Sequence, residues 1–564
     1  EEVNRVANWA VNKGIKKGDC VSLIKKNAPE FVILWLAMAK IGASTALINF
    51  NLTGTPLGNC LKLAAAASET KNNIVIYGGG LESSVKVPEI LEDLRKDSGN
   101  FHFFSYESPT EKTDFADTDE TDSYGHIWSS LDHELQGFDT AEADYKSMRE
   151  GAKFDDILFY IYTSGTTGLP KAAKQNHLRF VGGGLAAAVL NLIEGQKYSM
   201  YCPMPIYHSA GGAMGLGIAL QNGAKFVMRE KFSASNYFKD CAEHDCKIGQ
   251  YIGEMVKYLN ATPPNEYDRK HSLQALLGNG CRKEDWLAAV KRFNIPRIIE
   301  FYGATEGNAN MVNQVNKPGA CGYFPWLIRK LYPAKIVSVD ENDEVVRNKK
   351  GLCTECKSGE VGHLVGLIKN DDPTRRFDGY SDKKATEKKI LRDVFKKGDQ
   401  WFASGDLMKR EGPYYYFVDR IGDTFRWKGE NCSTREIESV IEKAPVDMKE
   451  VNVYGVQIKN TNGRAGMACI GLEDDAKPEE IDFGQLYQTV KKGLASYQRP
   501  IFLRIKTNIE LTSTFKHKKV GLRNEGFDPS LISDPLFFID NENETYVPLD
   551  EKRFNSIQNG EIKL

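Results

Sequence analysis

The sequence has 564 residues, a formal net charge of −2 and an apolar content of 41%. Single hydrophobic cores rarely grow beyond about 250–300 residues, so we expect more than one domain. The near-neutral charge argues against nucleic acid as the main partner. The eleven cysteines have no framework spacing, which indicates a reducing compartment, and the lone Cys353-x-x-Cys356 pair lacks the second pair or spaced histidines of a zinc site.

The chain begins with Glu1 inside an amphipathic pattern, in which Val3, Val6 and Trp9 fall at helical spacing. We therefore expect a missing N-terminal segment, which would anchor the protein to a membrane. The most apolar run, residues 31–48, is interrupted by Lys40 and contains Gly42 where a helix would end. This pattern predicts a buried helix followed by a strand rather than a transmembrane span.

Residues 107–144 are rich in Asp, Glu, Ser and Thr, which predicts a solvated loop or insertion without a core face. After it, strand-like runs at 157–164, 225–230 and 296–302 alternate with helical patterns. This alternation predicts an α/β fold, with a large N-terminal domain (residues 1–421) of layered, mostly parallel sheets. The pattern changes near Asp419, and we expect a smaller C-terminal α+β domain (422–564), whose first helix is capped by Ser433 or Thr434.

A glycine-rich stretch, YTSGTTGLPK, follows the apolar strand at 157–164 and indicates a phosphate-binding loop. It does not match the G-x-x-x-x-G-K-[ST] pattern. Its hydroxyls, its glycines and one lysine suit the β- and γ-phosphates of a nucleotide, because glycine allows backbone N–H groups to approach an anion. The residues are Thr163, Ser164, Gly165, Thr166, Thr167, Gly168 and Lys171. The alternative is a flexible linker, which the preceding apolar strand disfavours.

Four further positions carry candidate chemistry. In YGATEG, Tyr302 can stack on a base, Thr305 can donate to a phosphate and Glu306 can bind Mg²⁺, since hard cations take carboxylate oxygens. Asp406, in a Ser-Gly-Asp turn, can accept both ribose hydroxyls, although Asx-turns are common at surfaces. Arg420 precedes Ile-Gly-Asp, and Lys516 lies in a basic segment that could equally be a solvated face.

In this order the motifs YTSGTTGLPK, PIYHSAGG, YGATEG, SGD and DRIGDTFRWKGEN resemble those of the adenylate-forming superfamily. The resemblance covers essentially the whole chain. GDTFRWKGEN, LRNEGFDP and YVPLDEKRFNSI are most similar to the fatty acid transport proteins, which are also very long-chain acyl-CoA synthetases. One departure is Thr512-Ser513-Thr514 before Lys516, where relatives often have glycine; Lys518 and Lys519 lie close by, and we rank Lys516 first.

The resemblance implies a two-step reaction. A fatty carboxylate attacks the α-phosphorus of ATP to give an acyl-adenylate and pyrophosphate, and the thiol of CoA then displaces AMP. Such steps need alignment and charge stabilisation rather than a protein nucleophile, which agrees with the lack of a convincing Ser-His-Asp or Cys-His set. The implied catalytic residues are Lys516, Thr305 and Glu306, with Glu306 also the Mg²⁺ ligand. The implied ATP- and AMP-binding residues are Tyr162 to Gly168, Lys171, Tyr302, Gly303, Asp406 and Arg420.

The resemblance also implies a mobile C-terminal domain that turns about Gly422, with Gly429 near the CoA channel. For the acyl pocket, we expect an apolar tunnel where small residues leave space. The residues concerned are His208, Gly211, Gly212, Gly278 and Gly280. The alternative is tight helix packing, which small residues also serve.

The expected activity is long-chain or very long-chain fatty acid–CoA ligation, coupled to fatty acid uptake by metabolic trapping. Two alternatives stay open: adenylation of another carboxylic acid, and a transporter or tether with secondary ligase activity. The expected location is a membrane, with cytosolic catalytic domains, at the endoplasmic reticulum or plasma membrane rather than the peroxisome. Homo-oligomerisation is left open.

Overall fold

The computed structural model describes residues 1–107, 119–164, 169–189, 198–340, 344–372, 375–421, 425–427, 430–459, 461, 463–473, 476–506 and 519–562. The chain forms two compact units. The first comprises Glu1–Ala334, Gly366–Arg392 and Gly398–Ala403, and the second comprises Lys335–Val365, Asp393–Lys397 and Ser404–Leu564. Both units combine helices with sheets, so the expected α/β fold class is confirmed.

The first unit contains an eight-stranded sheet in the order β5-β6-β4-β3-β1-β2-β7-β8. Its strands are β1 (Cys20–Ile24), β2 (Ser44–Ile48), β3 (Ile74–Gly78), β4 (His102–Tyr106), β5 (Glu120–Thr121), β6 (Ile127–Ser130), β7 (Ile157–Ser164) and β8 (Pro170–Asn176). Strands β5 and β8 pair antiparallel with their neighbours, and the other pairs are parallel. The accompanying helices are α1 (Glu2–Asn12), α2 (Pro29–Ile41), α3 (Gly54–Ala67), α4 (Glu82–Val85), α5 (Pro88–Ser98), α6 (Leu131–Leu135), α7 (Tyr145–Met148) and α8 (His177–Val189).

The apolar run at 31–48 is a helix and a strand, as predicted. Helix α2 buries Phe31 and Trp35 against the first sheet and ends at Gly42, whose φ of 82° suits glycine. Among the described residues, no helix is both long enough and apolar enough to cross a bilayer.

The expectation that 107–144 lacks a core face is wrong for its second half. Strand β6 pairs with β4, and Trp128, Leu131 and Leu135 are buried in the cores on the two faces of the sheet. Because these apolar residues are few and lie among polar ones, the sequence pattern did not reveal the strand β6 and the helix α6.

A second sheet in the first unit has the order β10-β9-β11-β12-β13-β14. Its strands are β9 (Ser199–Cys202), β10 (Lys225–Met228), β11 (Ile248–Ile252), β12 (Ala275–Asn279), β13 (Ile298–Tyr302) and β14 (Met311–Asn313). Only β14 runs antiparallel, so strands β9 to β13 end at one edge. The intervening helices are α9 (Ser209–Gly211), a π-helix (Gly212–Gly217), α10 (Ile218–Gln221), α11 (Tyr237–Glu243), α12 (Gly253–Ala261), a 3₁₀ turn (Glu266–Asp268) and α13 (Lys283–Phe293).

The next segment supplies shorter elements and long antiparallel strands. They are β15 (Gly322–Tyr323), α14 (Trp326–Leu331), β16 (Ala334–Ser338), β17 (Val361–Leu367), α15 (Lys383–Glu387), β18 (Ile390–Arg392), β19 (Gln400–Glu411) and β20 (Tyr414–Arg420). In the second unit the strand order is β20-β19-β17-β16. Within the first unit, β18 pairs with residues 400–402 of β19.

The C-terminal part of the second unit has its own five-stranded sheet, ordered β23-β24-β25-β26-β27. Its elements are a hairpin of β21 (Phe425–Trp427) and β22 (Glu430–Cys432), then α16 (Thr434–Ile441), β23 (Met448–Val456), β24 (Ala465–Leu472), a 3₁₀ turn (Pro478–Glu480), α17 (Phe483–Gly493), β25 (Phe502–Lys506), α18 (Lys519–Glu525), β26 (Leu536–Asp540), β27 (Thr545–Pro548) and α19 (Glu551–Gln558). Its buried core uses residues 425–557 alone. Ser433 caps α16 as expected, while the boundary between 421 and 422 stays a prediction.

Candidate active site

The carboxyl ends of the parallel strands in the second sheet bring several predicted site residues to one edge. His208 follows β9, Gly278 lies at the end of β12, and Tyr302 ends β13. A direct contact joins two of these loops, because the hydroxyls of Ser209 and Thr305 lie 3.1 Å apart. This edge is where ligands bind in open α/β sheets.

The loop after β13 is held by its backbone carbonyls. Gln175 Nε2 donates to the carbonyl of Thr305 at 2.7 Å. The guanidinium of Arg179 donates to the carbonyls of Thr305 and Glu306, each at 3.2 Å, and to that of Gly307. The backbone of the loop is thus held without its side chains, and the Thr305 hydroxyl contacts Ser209 while the Glu306 carboxylate faces Lys389.

Arg179 is itself positioned by local structure. Asn176, the last residue of β8, accepts a hydrogen bond from the backbone N–H of Arg179 at 2.8 Å and so caps the first turn of α8. Burial lowers the pKa of Arg179, and the carboxylates of Asp378 and Glu306 oppose that shift. The guanidinium therefore stays charged at neutral pH. Sequence reasoning missed both Arg179 and Gln175, because neither lies in a recognisable motif.

Glu306 is 8% exposed, and its Oε1 lies 3.7 Å from Nζ of Lys389. Among the described residues, no group of three or more His, Cys, Asp or Glu side chains could hold a metal. A single carboxylate fits Mg²⁺ only when substrate phosphates complete the coordination, which is how this ion usually binds in nucleotide enzymes. Lys389 is a third residue that the sequence motifs did not reveal.

The glycine-rich stretch connects two antiparallel strands, not a strand and a helix. Thr163 of β7 pairs with Lys171 of β8, and Ser164 pairs with Pro170. The Thr163 hydroxyl is buried and has no hydrogen-bond partner in the described part of the chain. Nζ of Lys171 lies 5.7 Å from the ring centroid of Tyr380. The remaining predicted loop residues, Gly165, Thr166, Thr167 and Gly168, lie outside the described residues.

Tyr162 has a structural contact. Its hydroxyl donates to the carbonyl of Cys60 in α3 at 2.9 Å, and burial raises its pKa well above the ordinary value. Its ring packs beside the core between α3 and the sheet. A nucleotide contact by Tyr162 stays a prediction, and these contacts favour a role in seating the loop.

A buried carboxylate organises the loop after β12. Glu300 accepts hydrogen bonds from the backbone N–H of Gly280, from that of Cys281 at 3.2 Å, and from the Tyr251 hydroxyl. Glu300 is 3% exposed, and its charge together with burial raises the pKa of Tyr251 well above its usual value. These contacts tie the loop at Gly280 to β13, directly before Tyr302.

Three of the glycines predicted to leave room for an acyl chain lie in close contact with backbone carbonyls. A Cβ at Gly211 would overlap the carbonyl of Pro205, and one at Gly212 would overlap that of Ile206. A Cβ at Gly278 would overlap the carbonyl of Tyr251. The structure thus favours the packing alternative at these three positions. Gly280 differs, because it needs glycine for its φ of 83°.

His208 lies at the start of α9, and its Nδ1 accepts a hydrogen bond from the N–H of Ala210 at 3.4 Å. The π-helix Gly212–Gly217 follows α9 directly, and π-helical turns are frequent at functional sites. A role for His208 and these glycines in an acyl tunnel stays a prediction.

In the second unit, Asp406 and Arg420 are register partners on β19 and β20. Nε of Arg420 lies 3.5 Å from Oδ1 of Asp406, and the Ser404 hydroxyl accepts from the Asp406 N–H at 3.0 Å. The structure thus brings together the two residues expected to hold the ribose. Gly422, Gly429 and Lys516 lie outside the described residues, so their predicted roles as hinge, CoA-channel residue and catalytic lysine are untested.

Asp419, next to Arg420, connects two elements on either side of residues 422–424. Its buried Oδ2 accepts from the N–H of Thr434 at 3.0 Å and from the Ser433 hydroxyl at 3.2 Å. Oδ1 accepts from the Arg420 N–H at 2.8 Å. The carboxylate therefore holds the end of β20 to the start of α16.

The sequence profile described as "AMP-binding enzyme" matches residues 1–354. Long-chain fatty acid transport protein 1 of Mus musculus is 42% identical over 570 residues, which cover 100% of this chain and 82% of that protein. The chain belongs to this family of AMP-binding enzymes. Long-chain fatty acid transport protein 2 of Rattus norvegicus is 40% identical to this chain, and the match covers 98% of this chain and 84% of the rat protein.

The fold has solved relatives as well. The crystal structure of ATP-bound MatB from Rhodopseudomonas palustris has a TM-score of 0.71 and 20% sequence identity, covering 93% of this family member and 92% of that chain. The TM-score of 0.71 shows that the two proteins share a fold.

Proposed function

We propose that this protein is an ATP-dependent ligase that joins long-chain or very long-chain fatty acids to CoA through an acyl-adenylate. The observation that carries the proposal is the Thr305–Gly307 loop, whose carbonyls are held by Gln175 and the partly buried Arg179. Its two functional side chains project from a fixed backbone. The choice of a fatty acid rests on the relatives' name, long-chain fatty acid transport protein.

In the first step, a carboxylate oxygen of the fatty acid forms a bond to the α-phosphorus of ATP while the bond to pyrophosphate breaks. The Thr305 hydroxyl donates to the α-phosphate, and Tyr302 flanks the adenine. The loop from Thr163 to Lys171 holds the departing pyrophosphate. Lys516 neutralises the charge that builds between carboxylate and phosphate. Alignment of the reactants could lower the barrier by about 7–11 kcal/mol.

Glu306 would hold Mg²⁺ together with phosphate oxygens of ATP, and the ion would neutralise phosphate charge. Asp406 accepts from the ribose hydroxyls, and Arg420, 3.5 Å from it, contacts ribose or phosphate. In the second step, the CoA thiolate forms a thioester at the acyl carbon and AMP leaves. Rotation about Gly422 would bring Gly429 to the CoA channel.

We infer that the ligase acts at a membrane, with its catalytic domains in the cytosol, and that formation of the CoA ester traps the fatty acid after entry. The endoplasmic reticulum and the plasma membrane are the proposed locations. A transporter or tether with secondary ligase activity is the second candidate, and it is favoured only by the relatives' name.

The test is pyrophosphate release across C8–C24 fatty acids, benzoates and amino acids, followed by acyl-CoA formation. Preference for C16–C24 acids is expected, whereas preference for benzoates or amino acids would defeat the choice of substrate. Lys516→Ala should block adenylate formation yet spare thioester formation from supplied acyl-adenylate. Lys518→Ala is the matched control, and equal loss of both half-reactions in Lys516→Ala would refute the assigned role.

A further inference from the structure

Helix α14 displays the one run of consecutive exposed large apolar residues in the described part of the chain. Trp326 is 64% exposed, Leu327 is 59% exposed and Ile328 is 51% exposed. Other exposed large apolar side chains occur singly, which is normal for a soluble surface. The side chains of Trp326, Leu327 and Ile328 are called the WLI patch below.

The WLI patch is presented on a closed turn and not on a loose loop. The rings of Phe324 and Tyr332, on either side of α14, stack with centroids 4.0 Å apart. The backbone N–H of Arg329 donates to the carbonyl of Pro325 at 2.9 Å, and the backbone N–H of Tyr332 donates to the carbonyl of Ile328 at 2.8 Å. The base of the turn is thus fixed, and the apolar side chains extend from it.

The sequence on either side of the WLI patch carries charge of one sign, although Lys335 pairs with Glu355 at 3.5 Å. Residues 307–339 include Lys317, Arg329, Lys330 and Lys335 and contain no Asp or Glu. The whole chain has 74 basic and 76 acidic residues, so a stretch of this length without an anion is a local departure. An apolar tip beside lysine and arginine is the pattern of a segment that enters the interface of an anionic bilayer. Tryptophan is also enriched at that interface.

We propose that α14 docks on an anionic lipid bilayer, with the WLI patch entering the headgroup region and the guanidinium of Arg329 contacting lipid phosphates. Three partly exposed side chains present a few hundred Å², which is less than the roughly 800 Å² per partner of a stable protein interface. A bilayer has no such minimum, and each cation near an anionic surface adds about fivefold to binding. The inference does not depend on the proposed ligase activity.

The test is co-sedimentation of the 564-residue chain with sucrose-loaded vesicles of phosphatidylcholine, with and without the anionic lipid phosphatidylserine, in the absence of ATP and fatty acid. The protein should bind the anionic vesicles, and high salt should weaken binding. The Trp326→Ala/Leu327→Ala/Ile328→Ala variant should bind at least about tenfold more weakly. Arg329→Glu should also weaken binding, and it tests the charge without removing apolar surface.

Leu287→Ala, on α13 and 50% exposed, is the matched apolar control and should bind like the parent. Circular dichroism and pyrophosphate release with a water-soluble medium-chain acid report whether each variant is folded. Absence of binding by the parent, or equal binding by the patch variant, overturns the proposal. So does loss of self-association in the patch variant with vesicle binding unchanged, since the occupant would then be a second copy of the chain.

Discussion

The guanidinium of Arg179 lies 3.2 Å from the carbonyl oxygens of both Thr305 and Glu306, so an arginine at the start of α8 sets the backbone of the loop after β13. Few side chains can do this, because three carbonyls need several donors in a fixed plane. Arg179 is thus a positioning residue for the two side chains proposed to meet ATP.

Arg179→Lys should lower the rate of pyrophosphate release by about 10- to 100-fold, because one ammonium cannot hold three carbonyls and small misplacements of aligned groups are costly. The change should fall mainly on kcat, since Arg179 is not placed against the substrate. Arg269→Lys, on the exposed surface, is the control. Unchanged kcat in Arg179→Lys would contradict the positioning role.

Lys389→Met and Glu306→Gln should shift the Mg²⁺ requirement in opposite directions. Nζ of Lys389 lies 3.7 Å from the Glu306 carboxylate and competes with a cation for it. Lys389→Met should therefore lower the Mg²⁺ concentration for half-maximal activity severalfold, and Glu306→Gln should raise it. The measurement is an Mg²⁺ titration at saturating ATP, with Lys388→Met as control. Shifts of the same sign in both variants would argue against metal ligation by Glu306.

Glu300→Gln should destabilise the protein by about 2–3 kcal/mol, because an amide nitrogen would replace an oxygen that accepts buried hydrogen bonds. Tyr251→Phe should cost only about 1 kcal/mol, since it removes one donor and leaves the N–H groups of Gly280 and Cys281 on the carboxylate. Denaturant unfolding measures both values. The KM for ATP should rise in Glu300→Gln as the loop loosens. A larger loss of stability in Tyr251→Phe than in Glu300→Gln would contradict this explanation.

Asp419→Ala should alter the balance between the two half-reactions. It removes the carboxylate that accepts from Thr434 N–H at 3.0 Å and should cost about 1–2 kcal/mol in stability, as lost helix caps do. If the C-terminal domain turns about Gly422, loss of this contact should change adenylation and thioester formation by different factors. Thr434→Ser retains the backbone N–H and a side-chain hydroxyl at this position and is the control. Equal changes in both steps would exclude a link to domain orientation.

Stability should fall as pH drops from about 6.5 toward 4 through His102. Burial, together with the charge of Lys13, lowers the pKa of His102 from 6.5 to about 4. In the unfolded chain the imidazole of His102 binds a proton below about pH 6.5, whereas in the folded protein it does so only below about pH 4. Stability is therefore retained above about pH 6.5 and is lost as the pH falls between these two values. The loss should be about 1–2 kcal/mol, given the partial exposure of the ring. His102→Gln should flatten this part of the stability–pH curve, whereas the exposed His133→Gln should leave it unchanged.

Much of the architecture could be predicted from the sequence, because it depends on local patterns. The apolar runs of β7 and β13, the helix ending at Gly42 and the Ser433 cap each follow from a few neighbouring residues. The strand β6 at Trp128 was missed, because its apolar residues are few and its pairing with β4 is a long-range property. The strand β7 before the glycine-rich stretch was predicted, but the antiparallel strand β8 after it was not.

The sequence by itself determined which functional residue types occur and in what order, since motifs such as YGATEG place a threonine and a glutamate after a strand. Only the tertiary structure decided what holds them. Arg179 and Gln175 are 126 to 130 positions from Thr305, and Lys389 is 83 positions from Glu306. The sequence left open whether Gly211, Gly212 and Gly278 line a tunnel or allow close packing, and their contacts with backbone carbonyls are seen only in the tertiary structure. The physical reason is that carbonyl hydrogen bonds and glycine contacts join residues remote in sequence, and no local pattern encodes them.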